Sequence, residues 1–242
     1  MGACMNTVVT LRELTRHALG KTGARSLLHL YKRIRGYTVV HLGEDGLRER
    51  FQAIYANKVW VNSGINTPLS GAGSALHATD NLRAELPAIL DQIGAKSILD
   101  LGCGDFTWMS QIILKQRYIG ADIVEAVIEE NRRKFPNHEF LHLDGSADNI
   151  PSTDAVLCRE VLFHLSLADI HRVLAQVRRS GAKHFIATSD DITGFNADIQ
   201  SGDYRVLNLR RAPFRFPTPI ARIDDGAIIP GRYIGVWETS NI

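Results

Sequence analysis

The feature that most constrains the fold is an alternation of short apolar runs with amphipathic stretches in the middle of the chain. The runs SILDLG, RYIGAD, EFLHLD, AVLCRE and HFIATS begin at residues 97, 117, 139, 155 and 184 and have the length of buried strands. Between them, FTWMSQIILK, VEAVIEENRRKF and SLADIHRVLAQVRRS have helical spacing, and Ser166 and Asp169 have the spacing of a capping box. This alternation predicts an α/β fold with a mainly parallel sheet and helices on both faces.

The segments on either side add detail to this prediction. Residues 221–239, ARIDDGAIIPGRYIGVWET, predict two strands joined by a Gly/Pro turn, and therefore an antiparallel C-terminal hairpin at the sheet edge. Residues 70–74 are rich in Gly and Ser and predict a loop. The apolar residues from Leu82 to Ile93 then trace one helical face, which Pro87 is expected to kink or to divide into two turns.

Charge divides the chain of 242 residues unequally. Residues 1–40 contain seven Lys or Arg and only Glu13, so the remainder has 21 basic and 25 acidic side chains. We predict a basic helical extension over residues 1–60 and a globular domain over residues 61–242. The extension either packs on the domain or contacts an anionic membrane surface or a partner. A nucleic-acid partner is not expected, because the main domain lacks the basic surface that phosphates require.

Composition narrows the cellular context. Mean hydropathy is -0.08, and no apolar run is long enough to cross a bilayer. The N-terminus has no secretory pattern. The widely spaced Cys4, Cys103 and Cys158 encode neither a disulfide framework nor a CxxC metal site. We therefore expect a cytoplasmic protein without a bound metal.

The chemistry centres on the loop that follows the first predicted strand. Gly102 and Gly104 form a Gly-x-Gly turn where the backbone can approach a ligand closely. A dinucleotide is disfavoured, because Thr107 replaces the third small residue and the carboxylates of Asp100 and Asp105 would repel a pyrophosphate. The same carboxylates favour a ligand with an ammonium and a sulfonium group.

Two more aspartates end the next two predicted strands. Asp122 closes YIGAD and is expected to accept hydrogen bonds from ribose hydroxyls. Asp144 closes FLHLD, where it could accept from an adenine amino group beside Gly145. The alternative for each aspartate is a turn or a helix cap.

The motifs DLGCGD, GADI and LHLDGS resemble, in order and spacing, the nucleotide-binding motifs of class I S-adenosylmethionine-dependent methyltransferases. The resemblance covers residues 96–190 and implies a Rossmann-like seven-stranded sheet, with S-adenosylmethionine as cofactor. The cofactor site that it implies consists of Asp100, Gly102, Cys103, Gly104, Asp105, Trp108, Asp122, Ile123, Asp144, Gly145, Ser146 and Arg159.

SGAGS, LRAELPAIL, CGDFTWM and CREVLFHLS are also similar to segments of bacterial methyltransferases associated with glycan and cell-surface polysaccharide assembly. That narrower resemblance implies that Thr79 and Arg83 reach the cofactor carboxylate. Otherwise Arg83 is a solvated helix charge.

The end of the fourth predicted strand supplies candidates for a general base. His164 is the leading candidate, because the ordinary pKa of imidazole, about 6.5, suits proton removal near neutrality. Its alternative role is that of a histidine satisfied within the apolar VLFHLSL turn. Glu160 is the second candidate, and it would share a face with His164 if a helical turn follows the strand.

The long segment from residue 190 to 217 predicts a lid over the acceptor. Asp190, Asn196, Arg205 and Asn208 are the expected acceptor-binding residues, with an ordinary polar surface insertion as the alternative. CREV replaces the Asn/Asp-Pro-Pro motif of nucleobase methyltransferases. We therefore expect O-methylation of a small molecule or a glycan. Transfer to an amine or a macromolecule, and a non-catalytic cofactor-binding module that acts through the basic arm, are the alternatives.

Overall fold

The computed structural model describes residues 44–61 and 67–242. Within them lie the helices α1 Leu47–Ala56, α2 Asp80–Gln92, α3 Glu125–Lys134 and α4 Leu167–Arg179. The strands are β1 Ser97–Leu101, β2 Arg117–Asp122, β3 Glu139–His142, β4 Ala155–Cys158, β5 His184–Asp190, β6 Ala221–Asp224 and β7 Arg232–Glu238. Short 3₁₀ turns cover Ala72–Ser74, Leu76–Ala78, Met109–Gln111, Leu162–His164 and Thr239–Asn241.

The strands form one seven-stranded sheet in the order β3-β2-β1-β4-β5-β7-β6. β1 to β5 are parallel, whereas β7 runs antiparallel to both of its neighbours. The predicted Rossmann-like sheet and its antiparallel C-terminal hairpin are therefore confirmed. The direction of strand order reverses between β1 and β4, and ligands of such sheets bind at the carboxyl ends of the strands next to this point.

Each face of the sheet has its own apolar core, because successive strand residues point to opposite sides. Leu99 joins α1 and α4 on one face, while its neighbour Ile98 joins α2 on the other. α3 contributes Val127 to the first core and Ile128 to the second. The expectation of helices on both faces is confirmed.

The helix predicted for FTWMSQIILK does not form. Only Met109–Gln111 make a 3₁₀ turn, and Ile112 is already extended. Phe106 has a φ of +59° and is buried in a cluster with Phe135 and Phe140, so the chain turns where the helix would begin. The β-branched Ile112 and Ile113 add little helix propensity to oppose this turn.

The other predicted helices are present. Ser166 caps α4 by accepting a hydrogen bond from the Asp169 N–H, as the capping-box spacing predicts. α2 continues through Pro87 to Gln92, because the buried Leu86 and Leu90 hold both halves of the helix against the sheet. The predicted division into two turns at Pro87 is therefore wrong.

α1 belongs to the predicted N-terminal extension, yet it packs in the same core as the sheet. Phe51, Ile54 and Tyr55 on one side of this helix are buried there. The basic helices predicted over residues 1–40 lie outside the described residues, and the division of the chain at residues 60 and 61 stays a prediction. None of the helices in residues 44–61 and 67–242 has the length and apolar character needed to cross a membrane.

Candidate active site

A pocket of about 940 Å³, including its open mouth, lies at the carboxyl ends of β1 to β4. This is the position at which open α/β sheets bind their ligands. Both base candidates, Glu160 and His164, line it. The predicted cofactor residues that also line it are Asp100, Gly102, Cys103, Gly104, Trp108, Asp122, Ile123, Asp144, Gly145, Ser146 and Arg159.

The glycine loop is bound tightly to the end of β2. The N–H groups of Gly102 and Cys103 both donate to the Ala121 carbonyl, at 2.7 and 3.0 Å. Gly102 and Gly104 have φ values of +82° and +57°, the left-handed region that favours glycine. A Cβ atom on Gly104 would lie 2.2 Å from the Ser70 hydroxyl oxygen. Glycine is therefore required here by neighbouring protein atoms as well as by the expected approach of a ligand.

Asp122 holds the loop and also faces the pocket. Its two carboxylate oxygens accept hydrogen bonds from the Gly104 N–H at 3.1 Å and the Val124 N–H at 3.0 Å. Burial raises the pKa of this carboxyl, whereas the backbone donors lower it. Each oxygen has a second lone pair, so the group can also accept from two ligand hydroxyls.

Asp100 is a buried carboxyl on the other side of the glycine loop. One of its oxygens accepts a hydrogen bond of 2.9 Å from the Tyr118 hydroxyl. Burial raises the pKa of Asp100 to about 7, and the bond from Tyr118 opposes this shift. A cationic ligand beside the carboxyl would favour its ionised form.

Asp144 forms a compact turn after β3. Its Oδ1 atom accepts from the Ser146 N–H at 2.8 Å and the Ser146 hydroxyl at 2.7 Å. A Cβ atom on Gly145 would lie 2.8 Å from the side chain of Leu101, so this turn also packs closely on β1. The turn thus has the capping role and also lines the pocket, whereas the contact of Asp144 with adenine stays a prediction.

Thr79, Arg83 and Asp105 do not line the pocket, and their contact with the cofactor stays a prediction. The Thr79 hydroxyl donates to two backbone carbonyls, and Arg83 donates to Thr79 and forms an ion pair with Asp80. The carboxylate of Asp105 accepts from the N–H groups of Ser70 and Thr107, both at 3.2 Å. Thr79 and Arg83 are bound within their own turn, whereas Asp105 connects its turn to the loop that contains Ser70.

α1 and the residues after it line the pocket opposite the strand ends, which the sequence analysis did not predict. Leu47, Phe51 and Tyr55 are spaced by four residues and lie on one face of α1, and Trp60 follows. The Tyr55 hydroxyl donates to Ser70 at 3.3 Å, which connects α1 to the glycine loop. The four-residue spacing of these side chains is a signal in the sequence for this face, but it lies within the predicted extension rather than within the predicted domain.

His164 lies in the 3₁₀ turn after β4, beside the pocket. Its Nδ1 atom is 2.8 Å from the backbone carbonyl of Asp203. A carbonyl oxygen can only accept, so Nδ1 has the proton and Nε2 of the neutral ring has the free lone pair. Burial lowers the pKa of His164 to about 4, and the ring stacks on Trp60 with centroids 4.8 Å apart. The imidazole is therefore neutral at pH 7.

Glu160 is less suited to accept a proton. Its carboxylate accepts a hydrogen bond from Arg232 Nη1 at 2.9 Å and lies 3.9 Å from Arg159 Nη1. The residue has a φ of +56° and is held by a bond of 2.8 Å from its N–H to the Thr188 hydroxyl. Glu160 precedes the 3₁₀ turn that contains His164, so the two residues share the pocket but not a helical face.

Arg159 lines the pocket with its charge compensated inside the protein. It binds both carboxylate oxygens of Asp225, at 2.9 and 3.2 Å. Its guanidinium also lies 5.4 Å from the centre of the Trp108 ring. Asp225 comes from the turn after β6, a contact that no local sequence pattern indicated.

The predicted acceptor-binding residues Asp190, Asn196, Arg205 and Asn208 do not line the pocket. The Asn196 side chain accepts from the Asn208 N–H at 2.8 Å and donates to the Asn208 carbonyl at 2.9 Å. Asp190 accepts from Arg232 at 2.8 Å, and Arg205 donates to the Leu165 carbonyl. The lid prediction is corrected for these four residues, because they are buried and hold the long loop in place.

In the described ranges, no group of three or more His, Cys, Asp or Glu side chains is arranged to hold a metal ion.

Comparison with known proteins defines the class. Residues 98–183, from β1 to the start of β5, match the family model described as a methyltransferase domain. This segment contains the glycine loop, Asp122, Asp144 and His164. The protein therefore contains a methyltransferase domain over residues 98–183 and is an enzyme, and this domain implies S-adenosylmethionine as the cofactor. A search of the curated proteins gives no match.

One solved structure supports the fold, and two others share a smaller part of it. Human N-acetylserotonin methyltransferase in complex with S-adenosylmethionine is similar over 91% of this chain and 68% of its own, with 16% identity and a TM-score of 0.57. The methyltransferase domain of bacterial CtHen1 covers 66% of this chain and 99% of its own, with 14% identity and a TM-score of 0.49. Magnesium protoporphyrin IX methyltransferase from Synechocystis PCC 6803 covers 60% and 73%, with 14% identity and a TM-score of 0.45.

Proposed function

We propose that this methyltransferase transfers a methyl group to a hydroxyl oxygen of a small, sugar-like acceptor, with His164 as the general base. The observation that supports the proposal is the bond from His164 Nδ1 to the Asp203 carbonyl. This bond leaves Nε2 unprotonated in a pocket that also contains the glycine loop and Asp122. A neutral hydroxyl must lose its proton as it attacks, so a base of this kind is required.

The pocket fits the cofactor in charge and shape. Asp122 would bind the ribose hydroxyls, and the turn of Asp144 to Ser146 would border the adenine. Asp100 and the glycine loop would face the cationic amino-acid end, where opposite charges attract. When bound, S-adenosylmethionine supplies a methyl group on a positively charged sulfur.

His164 then has one task in the reaction. The acceptor hydroxyl would give its proton to His164 Nε2 as its oxygen attacks the methyl group. The cofactor, held by Asp122 and the turn of Asp144 to Ser146, would supply that methyl group and would leave as a neutral thioether. A positioned base of this kind contributes about 10²- to 10⁴-fold to the rate. Burial lowers the pKa of His164, so the imidazole is neutral and its Nε2 lone pair is free, but the ring is a weaker base than an ordinary histidine.

The remaining expectations are part of the same proposal. Phe51 and Trp60 line the pocket with aromatic rings, which would suit a compact ring-shaped acceptor such as a sugar. We propose glycan biosynthesis as the context and the cytoplasm as the compartment. Peripheral contact of the basic extension with a membrane is proposed from the charge of residues 1–40 alone.

A two-part experiment tests the proposal. Calorimetry with S-adenosylhomocysteine measures cofactor binding. Incubation with S-adenosylmethionine and a panel of methyl glycosides, phenols and amines, followed by mass spectrometry, then locates the new methyl group. A product methylated on oxygen supports the proposal, whereas a product methylated on nitrogen, or on a macromolecule added in parallel, favours the alternatives. Cofactor binding with no turnover, together with loss of membrane association on removal of residues 1–40, would favour a non-catalytic module.

A further inference from the structure

Arg232 of β7 connects three segments around the acceptor side of the pocket. Its Nε atom donates to Asp190 at the end of β5 at 2.8 Å, and Nη1 donates to Glu160 after β4 at 2.9 Å. Its Nη2 atom donates to the Tyr204 hydroxyl at 3.1 Å. The side chain is 3% exposed and is not among the residues that line the pocket.

The groups that Arg232 binds are the neighbours of His164 on both sides. Tyr204 follows Asp203, whose carbonyl accepts the hydrogen bond from His164 Nδ1. Phe163 precedes His164, and its ring lies 4.4 Å from the centre of the Arg232 guanidinium. The backbone of the two segments is also paired, because the Gly202 N–H donates to the His164 carbonyl at 2.8 Å. The position of the imidazole therefore depends on contacts that meet at one guanidinium.

Arg232 also determines what Glu160 can do. The backbone of Glu160 is in the left-handed region, which residues other than glycine rarely adopt. Its carboxylate is fixed by the hydrogen bond from Arg232. A Cβ atom on Gly73 would lie 1.7 Å from Glu160 Oε2, so the opposite loop packs directly against the same carboxylate. The carboxylate is thus engaged from two sides.

We propose that Arg232 is a positioning residue for methyl transfer, which holds the Nδ1–H tautomer of His164 through Tyr204 and Phe163 and prevents Glu160 from acting as the base. The inference rests on the proposed function, because it assumes that His164 accepts the proton. Only a planar fork of several donors can bind Asp190, Glu160 and Tyr204 together. A lysine at the same position would keep the charge and lose this geometry.

The test compares Arg232→Lys and Tyr204→Phe with the unmodified protein. Tyr204→Phe removes one bond and no charge, so it remains informative if Arg232→Lys fails to fold. Arg222→Lys is the matched control. Arg222 lies on the neighbouring strand, binds Asp191 at 2.9 Å and stacks on Tyr233, but it makes none of the contacts around His164.

The primary measurement is nitrogen NMR of labelled histidine, with the His164 signals assigned by their loss in His164→Gln. In the unmodified protein and in Arg222→Lys, we expect a protonated Nδ1 and an unprotonated Nε2. In Arg232→Lys and Tyr204→Phe, we expect signals averaged between the two tautomers. Affinity for S-adenosylhomocysteine should stay within threefold. Once an acceptor that the enzyme methylates has been identified, kcat of Arg232→Lys and Tyr204→Phe should fall about tenfold or more, while KM for the methyl donor stays within threefold.

An unchanged His164 tautomer in both variants would overturn the proposal, as would kcat within threefold of the unmodified protein. Failure of the underlying function has a different signature, because His164→Gln would then retain full turnover. In that case the tautomer shift could still be observed in Arg232→Lys, so the two failures are distinguishable.

Discussion

The two halves of the pocket are constructed differently. At the ends of β2 and β3, backbone N–H groups of tight turns bind the aspartates, as Gly104 and Val124 bind Asp122. At the ends of β4 and β5, side chains bind side chains in a buried ionic network centred on Arg232 and Arg159. Backbone-bound carboxylates keep lone pairs for a ligand, whereas ion-paired ones are largely engaged within the protein. The first half is therefore suited to bind the cofactor and the second to fix the reacting groups.

The comparison predicts that loss of the base affects catalysis without affecting cofactor binding. For His164→Ala we expect turnover to fall by about 10²- to 10⁴-fold. Affinity for S-adenosylhomocysteine should stay within about threefold, because none of the predicted cofactor contacts involves this ring. Steady-state kinetics and calorimetry measure the two quantities. Turnover close to that of the unmodified protein would exclude His164 as the base.

A substitution in the glycine loop should weaken cofactor binding, in contrast to the substitution of His164. Gly104→Ala places a methyl group 2.2 Å from the Ser70 hydroxyl oxygen, so the loop must shift. We expect affinity for S-adenosylhomocysteine to fall about tenfold or more, equivalent to at least about 1.4 kcal/mol.

Gly181→Ala is the matched control. Gly181 has a φ of +75°, and a Cβ atom there would meet no atom of the described residues within 4 Å. Both variants should lose about 1 to 2 kcal/mol of stability from backbone strain, but only Gly104→Ala should lose affinity. Equal affinities would show that the loop does not border the cofactor.

Asp100, in the half of the pocket suited to the cofactor, should make the stability of the protein depend on pH. The pKa of about 7 in the folded protein exceeds the usual value of 3.8, so the folded state binds more protons between these pH values. Its contribution to stability is therefore favourable at low pH and is lost as pH rises toward 7. For Asp100→Asn, we expect the free energy of unfolding relative to the unmodified protein to increase by about 2 kcal/mol between pH 5 and pH 8. Urea denaturation without cofactor measures this difference, and a constant difference would contradict the assignment.

The smallest expected effect concerns the contact between α1 and the glycine loop. Tyr55→Phe removes a bond of 3.3 Å to Ser70, for which we expect a loss of stability of about 0.5 to 1 kcal/mol. Tyr118→Phe should cost more, about 1 to 3 kcal/mol, because it leaves the buried Asp100 carboxyl without this donor. Thermal denaturation of the two variants compares them. A larger effect at Tyr55 would reverse the predicted order.

The sequence predicts the cofactor half well for a physical reason. Strands, glycine turns and the aspartates that follow them are local patterns, so Asp122 and Asp144 could be placed from their neighbours alone. The helix after the glycine loop was predicted wrongly, because the buried Phe106 turns the chain at a positive φ that apolar spacing does not reveal.

The acceptor half could not be predicted in the same way. Polar residues of the long loop, such as Asn196 and Asn208, have the composition of a binding surface, but they bind each other within the fold. Arg232 reaches Glu160 across 72 residues of sequence, and Trp60 reaches His164 from the far side of the domain. Contacts of this kind arise from the sheet topology, which brings β7 beside β5.

The most direct test of the central claim is a crystal structure with bound S-adenosylhomocysteine. We predict that the ribose hydroxyls lie within hydrogen-bond distance of Asp122, that the adenine borders Asp144 and Ser146, and that the sulfur faces the side of the pocket that contains His164. A nucleoside bound elsewhere, with Asp122 contacted only by Gly104 and Val124, would contradict the assignment of this pocket.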